Sequence, residues 1–358
     1  MKKFDYYIIR YFLSTFIMSI TLILAIAVVF DFSEKIDNFI DNQAPANLII
    51  KDYYINFIIH YGVLFSGLIT FISVIFFTSK LSDNNEIIAL YNNHISPLRI
   101  LVPYMISAGI IFLINIYCQN WFLPDKNEKR LNFENTYIKN KDILRHKKLH
   151  KQIDKNTFIF IKNYDVKNSK GYNCNIQKFS NNNLRSKVSA HSIYWDQKKE
   201  TWKLIKYKED IYEDITKIVS FSGKEKEIKL NILPEEMFYQ DRSIKSMNYN
   251  ELTQFIDNEE KRGSHLMPFY NIEKHERFSY PFSILIFTLL GFLISNQNIR
   301  GGMGYKLAIG IAICFFYIFI MKFSVTLTIN SSIPAFISVW TPNIVCILIT
   351  ILSFKRLT

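Results

Sequence analysis

The chain has 358 residues, 49% of them hydrophobic and 16% aromatic, and its formal net charge is +12 at pH 7. This length is enough for more than one folding unit, and the averages hide a division of the sequence into long apolar runs and one polar insert. Of the four cysteines, Cys174 alone lies in the insert, which excludes a disulfide framework within that part of the chain.

Six apolar runs are each long enough for a helix that crosses a bilayer, which needs about 17 to 25 residues. In chain order they are Phe12–Phe30, Ile55–Phe77, Leu101–Leu123, Phe278–Ile294, Leu307–Phe323 and Ile333–Phe354. The first run is too long for a secretory signal peptide and is not followed by a small-residue cleavage site, so we expect it to remain attached. The sequence therefore predicts six transmembrane helices.

A short segment with helical spacing, near residues 83–93, separates the second and third runs. Asp83 is predicted to cap a helix here, with Glu86 closing a capping box three residues later. The apolar residues of the segment then fall on one face of this helix: Ile87, Leu90 and Tyr91. An apolar helix at the membrane surface suits either the docking of a soluble partner or contact with lipid.

The polar insert, residues 124–276, holds most of the charged residues, and its middle part has short runs rich in Ile, Tyr, Trp, Phe and Val with near-alternating polar residues. Several such strands indicate an all-β, jellyroll-like domain. The stretch "SIYWDQKKETWKL" is typical of a hairpin with Trp195 and Trp202 close to its turn. The basic residues are interspersed, so we interpret them as a solvated surface and predict no nucleic-acid partner, although a positive domain would also attract phosphorylated lipid.

Helical spacing returns in "NYNELTQFIDNEEKRG", where Asn248 or Asn250 is the expected N-cap and Gly263 the expected stop. This helix would lead the chain back to the membrane. The predicted organisation is an α-helical membrane protein with transmembrane helices 1–3 in residues 1–123, the external β domain with flanking helical segments in 124–276, and transmembrane helices 4–6 in 277–358.

Basic residues in short loops predict the orientation in the membrane, because they favour the cytoplasmic side. They occur at the N-terminus, after the second and fourth runs, and in the C-terminal tail: Lys2, Lys3, Arg10, Lys80, Arg99, Arg300, Lys306, Lys355 and Arg356. The loops on the opposite side are uncharged or acidic. We therefore expect a multi-pass inner-membrane protein with both termini in the cytoplasm and the large domain in the periplasm.

The apolar runs contain no Asp or Glu. Ion-coupled carriers usually need intramembrane carboxylates to bind and release the ion, so a secondary transporter is disfavoured. Lys322 and His60 lie near the outer ends of their runs, where the interface tolerates an ionisable side chain. The sequence has no phosphate loop, nucleophile elbow or zinc signature, and His146 and His150 lack a third ligand. We expect no metal, no cofactor and no enzymatic activity of the chain by itself.

Three stretches resemble one family. "KLSDNNEIIALYNNHISPLRILVPY" is similar to the cytoplasmic coupling helix of the permease subunits of the lipopolysaccharide-transport ABC exporter, the LptF/LptG or YjgP/YjgQ family. Glu86 matches the family's acid, while His94 stands where the family usually has Gly. "HERFSYPFSILIFTLLGFLI" resembles the family's entry into helix four, with Arg277 and Pro281 matching, and "RSKVSAHSIYWDQKKETWKLIKY" resembles its periplasmic jellyroll strands.

The resemblance implies a half-transporter. Two such permeases pair with two copies of a cytoplasmic ATPase of the LptB type, extract lipopolysaccharide from the inner membrane, and pass it to periplasmic bridge proteins of the LptC/LptA type. The candidate ATPase-coupling residues are then Asp83, Glu86, Ile87, Leu90, Tyr91 and His94. Lys35 and Lys322 are the candidate lipid-binding residues, although Lys35 is surrounded by acidic residues that can pair with it instead, and this intramolecular pairing is slightly favoured.

Two functions from other classes are compatible with these features. A membrane-anchored sensor or assembly factor would bind a ligand through its β domain and use its helices only as an anchor. A membrane-embedded enzyme acting on lipid would need an acid–base pair, which only Asp31, Glu34 and Asp37, just outside helix one, are placed to supply.

Overall fold

The computed structural model describes residues 3–138, 145–165, 169–180, 183–197, 199–212, 218–230, 232, 234, 244–264, 266–296, 302–330 and 333–354. The chain divides into two compact units. One comprises residues 1–130, 245–249 and 268–358, and the other comprises residues 131–244 and 250–267. Four of the basic residues used to predict the orientation lie outside the described residues: Lys2, Arg300, Lys355 and Arg356.

Within the described residues, six helices are long and apolar enough to cross a membrane, as the sequence predicts. They are α1 (Lys3–Asp41), α2 (Ala46–Asp83), α4 (Pro97–Ile138), α6 (Met267–Ser295), α7 (Gly302–Asn330) and α8 (Ala335–Phe354). A short helix, α3 (Glu86–Asn92), separates α2 from α4. Three π-helical segments occur in α2 and α4: Ile49–Tyr54, Cys118–Phe122 and Glu134–Ile138.

The first helix is much longer than its apolar run. α1 has 39 residues, which corresponds to about 58 Å of helix, whereas the hydrocarbon core of a bilayer is about 30 Å thick. Asp31, Glu34 and Asp37, expected just outside this helix, lie within it. Charged residues do not end a helix that is already formed, and no Gly or Pro interrupts the chain before Pro45.

α2 lies at the centre of the membrane unit. It contacts α1, α4 and α7, and α7 contacts α8. Its aromatic side chains reach α6 as well, since the rings of Phe71 and Phe287 stack with their centroids 5.0 Å apart. Phe71 and Phe287 are both fully buried, so the bundle has a packed interior where α2 meets α6.

The described residues of the β domain form six antiparallel strands in one sheet, and each of these strands pairs with the next along the chain. They are β1 (Arg145–Asp154), β2 (Thr157–Asp165), β3 (Lys170–Ser180), β4 (Asn183–Asp196), β5 (Thr201–Tyr212) and β6 (Ile218–Ile228). Buried and exposed side chains nearly alternate along β2, as expected when one face of a sheet covers a core. The predicted all-β insert is confirmed, and its described strands follow a meander order. Before the sheet, α4 continues past Leu123 to Ile138, and the first strand begins at Arg145.

The predicted hairpin is confirmed. Trp195 pairs directly with Trp202 across β4 and β5, and their ring centroids are 5.2 Å apart. The Trp202 ring is fully buried, and its Nε1 donates a hydrogen bond of 2.9 Å to the Ile232 carbonyl oxygen. Cys174 lies in the same core at 1% exposure, and burial raises the pKa of its thiol to about 12. This thiol is therefore protonated and shielded from reagents.

The helix predicted after the sheet is also confirmed. α5 (Tyr249–Arg262) starts directly after Asn248, and Gly263 follows its last residue with a φ of +75°, the left-handed conformation in which glycine ends helices. Within the β unit, the buried Glu259 carboxylate accepts a 2.8 Å hydrogen bond from Arg262 and lies 3.9 Å from the Lys151 ammonium on β1. These contacts fix α5 to the first strand.

Candidate functional site

The short helix α3 starts differently from the sequence prediction. Asp83 is the last residue of α2, and the residue before α3 is Asn85, which has a φ of +59° and makes no side-chain capping bond. The predicted capping box of Asp83 and Glu86 is therefore wrong. The chain has to reverse between α2 and α3, and Asn85 provides the left-handed turn, a conformation that asparagine adopts more readily than most residues.

Glu86 instead joins α3 to the first membrane helix. Its Oε2 accepts a hydrogen bond of 3.3 Å from the Tyr7 hydroxyl of α1, and its Oε1 accepts one of 3.3 Å from the Asn84 side-chain amide. As the first residue of α3, its negative charge also lies at the helix end that favours anions. Glu86 thus holds the start of α3 against α1.

The apolar face of α3 packs against the membrane helices of the same chain. Ile87 is 2% exposed, and Leu90 and Tyr91 lie against the core formed by α1, α2, α4 and α6. The Tyr91 hydroxyl donates a hydrogen bond of 2.7 Å to Asn296 Oδ1, and burial raises the pKa of Tyr91, which keeps this donor protonated. The face expected to meet a soluble partner or lipid is therefore already covered.

The opposite face of α3 is open. Ile88 is exposed at 36%, and Ala89 and Asn92 are exposed beside it. The helix therefore presents a small apolar and amide surface to solvent while its other face is fixed to the bundle.

His94 occupies a special backbone position after α3. Its φ is +59°, and its amide donates a hydrogen bond of 2.9 Å to the Tyr91 carbonyl oxygen. Glycine is the usual residue where a helix ends in the left-handed conformation. This preference is a physical reason why the family that the chain resembles usually has Gly at the position of His94. Histidine also adopts this conformation more often than most residues, so the turn is retained.

A partly buried ion pair joins α1 to the start of α4, beside α3. Arg99 Nη1 lies 2.7 Å from Asp5 Oδ1, and Arg99 Nη2 donates a hydrogen bond of 2.8 Å to Asp5 Oδ2. Asp5 is 5% exposed. The sequence analysis missed this pair because its members lie far apart along the chain; the available signal was a single acid at the start of one apolar helix and a single Arg at the start of another.

Lys35 is engaged within its own chain. Its ammonium lies 2.5 Å from Asp31 Oδ1, and the Tyr53 hydroxyl, which also contacts the ammonium, donates a 2.9 Å hydrogen bond to Asp31 Oδ2. The predicted intramolecular pairing of Lys35 is confirmed. This pairing also removes Asp31 as a free acid or base, which weakens the case for a lipid-modifying enzyme at this end of α1.

Lys322, the second lipid-binding candidate, lies on α7. Its side chain is exposed and makes no ion pair within the part of the chain that the structure describes. It lines one end of a cavity of about 180 Å³ whose other lining residues come from α2, α4, α6 and α7. Of the two candidate lysines, Lys322 is therefore the one whose charge is available to a ligand.

The histidines considered for a metal site have an unsuitable geometry. His146 and His150 belong to strand β1 rather than a helix, and residues four apart along a strand are separated by about 13 Å. Over the described residues, no group of three His, Cys, Asp or Glu side chains is placed to hold a metal ion.

The comparison with known protein families gives one match. The family model described as "Lipopolysaccharide export system permease LptF/LptG" matches residues 6–356, which is nearly the whole chain. A search of curated proteins found no significant match.

Proposed function

Because the chain belongs to the LptF/LptG family of lipopolysaccharide export permeases, we propose that it is the permease subunit of an ABC exporter whose ATPase is a separate cytoplasmic protein of the LptB type. The observation that carries this proposal is α3. Its inner face is fixed to the membrane helices and its outer face, with Ile88, is free for a partner. The absence of a nucleotide-binding motif from the sequence agrees with an ATP site on another subunit.

A second permease of the same family is the proposed membrane partner. α1 supports this proposal, because only 11% of its most apolar stretch of 18 residues is buried within the chain. Large side chains are exposed along it, including Met18, Val29 and Phe30. Of the two candidate lysines, at the end of α1 and on α7, we propose Lys322 as the contact for the anionic group of a lipid, with Lys35 contributing only if Asp31 releases it.

The proposed periplasmic partner is a bridge protein of the LptC/LptA type. Among the described strands, β6 pairs with β5 alone and forms one edge of the sheet. The apolar side chains of Ile218 and Phe221 are exposed at 57% and 51% on this strand. An exposed edge of this kind supports the addition of a strand from another β domain.

The proposed orientation places α3 in the cytoplasm and the sheet in the periplasm. Gln197, in the turn between β4 and β5, and Asn92, on α3, are both exposed and suit cysteine labelling. In a background without the four native cysteines, Gln197→Cys is expected to react with an impermeant maleimide in spheroplasts, and Asn92→Cys only after lysis. The reverse labelling pattern would refute the orientation.

Co-purification tests the function directly. The full-length tagged chain, extracted in mild detergent from its own cells, is expected to carry an ATP-binding subunit and a second permease, both identified by mass spectrometry. Reconstituted in vesicles with the bridge protein, the complex is expected to release lipopolysaccharide only with ATP. Isolation without any ATP-binding subunit would instead favour the membrane-anchored sensor.

A further inference from the structure

Three polar side chains on α6 and α7 make no hydrogen bond and no ion pair within 4 Å in the part of the chain that the structure describes, although the Lys322 and Lys245 ammonium groups are close enough to attract the Glu276 carboxylate. They are the Glu276 carboxylate and the Tyr280 hydroxyl, one turn apart on α6, and the Lys322 ammonium on α7. Ionisable groups among membrane helices are costly and almost always pair with each other or with a ligand. An acid and a base that lie in the same region without direct contact are therefore suited to a ligand that carries both charges and bridges them.

The three groups line two adjoining cavities. The cavities share three lining residues: Tyr280, Tyr317 and Met321. Glu276 lines the smaller one, and Lys322 lines the larger one, whose volume is about 180 Å³ and whose walls include the apolar Phe287. A cavity of about 150 Å³ accommodates a benzene molecule, so the larger cavity has room for the first few methylene groups of an acyl chain.

Glu276 and Lys322 lie at a depth in the membrane that matches the level of the lipid headgroups. At 1.5 Å per residue, Glu276 lies about 28 Å along α6 from Ser295, and Lys322 lies about 30 Å along α7 from Gly302. Ser295 and Gly302 are the neighbouring ends of these two helices. Since the hydrocarbon core is about 30 Å thick, Glu276 and Lys322 reach the headgroup level of the far leaflet, which is the periplasmic leaflet in the proposed orientation.

We propose that this site binds a zwitterionic aminophospholipid of the surrounding bilayer, with its ammonium on Glu276 and its phosphate on Lys322. The Tyr280 hydroxyl accepts a second hydrogen bond from the ammonium, and the start of one acyl chain enters the larger cavity. A lipid with only a negative charge leaves Glu276 unpaired, and a choline headgroup has no N–H to donate to it. The phosphoethanolamine headgroup satisfies all three side chains.

Native mass spectrometry of the full-length chain in detergent tests this inference without any transport step, so it stands or fails separately from the permease proposal. Phosphatidylethanolamine, phosphatidylcholine and phosphatidylglycerol with identical acyl chains are titrated in turn. We expect phosphatidylethanolamine to bind at least about fivefold more tightly than the other two, as charge-assisted hydrogen bonds require. Glu276→Gln is expected to abolish this preference, and Lys322→Gln is expected to weaken the binding of all three lipids.

Matched variants control for charge and for folding. Glu34→Gln and Lys51→Gln remove exposed charges from α1 and α2 and are expected to leave the lipid preference unchanged. Tyr280→Phe deletes one hydroxyl from a partly buried ring and is expected to lower the preference for phosphatidylethanolamine about threefold, which keeps the test valid if Glu276→Gln is unstable. Equal affinity for the three lipids, strongest binding of phosphatidylglycerol, or an unchanged preference in Glu276→Gln would each overturn the inference.

Discussion

Replacing Ile88 by glutamate is expected to abolish the association of this permease with its ATPase while the chain still inserts in the membrane. Ile88 is the exposed apolar residue on the free face of α3, whose other face is fixed by Ile87. A buried, unpaired carboxylate at the centre of a protein interface costs several kcal/mol, which corresponds to a loss of affinity of about a hundredfold or more. Co-purification of the tagged chain with the ATPase measures this loss.

Two variants distinguish the loss of a contact surface from the loss of folding. Ile40→Glu makes the same substitution at an isoleucine that is 67% exposed near the other end of α1, and it is expected to retain the ATPase. Glu86→Gln removes the charge from α3 and keeps only one of the two oxygens that accept hydrogen bonds from Tyr7 and Asn84, so we expect an intermediate loss of association. Full ATPase association in the Ile88→Glu chain would show that this face of α3 is not the contact surface.

The parts of the fold that the sequence predicted correctly are those for which nearby side chains show which positions face water and which face lipid or a protein core. The six membrane helices follow from apolar runs that only a bilayer or a core can accommodate, and the hairpin at Trp195 and Trp202 follows from strand alternation interrupted by a polar turn. The end of α5 at Gly263 follows from the freedom of glycine to adopt positive φ. Each of these signals lies within a few residues of the element that it predicts.

The candidate site was harder to predict because it depends on contacts between distant segments. The apolar pattern of Ile87, Leu90 and Tyr91 indicates that this face of α3 is covered, but a pattern does not say by what, and the covering residues come from four other helices. The capping-box spacing at Glu86 was overridden by the reversal at Asn85. In both cases tertiary packing decided between alternatives that local preference left nearly equal.

Replacing Gly171 by valine is expected to destabilise the β domain strongly. Gly171 lies on β3, opposite Tyr164 of β2 and Ile193 of β4. A Cβ atom at this position would lie 2.8 Å from the Cγ2 atoms of both Ile161 and Ile193, which are fully buried. Overpacking of this kind costs about 1 to 3 kcal/mol, which for a domain of this size lowers Tm by about 4 to 12 °C.

The melting of the detergent-solubilised full chain, followed by tryptophan fluorescence and by limited proteolysis, measures this effect, because the buried ring of Trp202 reports on the same core. Lys170→Val is the matched control: it introduces the same side chain one residue earlier, on the opposite face of the sheet, and is expected to change stability by less than about 0.5 kcal/mol. Gly171 and α3 belong to different compact units, so ATPase association is expected to persist in Gly171→Val while delivery of lipopolysaccharide to the bridge protein is lost. An unchanged melting temperature in Gly171→Val would contradict the close approach of β2 and β4 at this glycine.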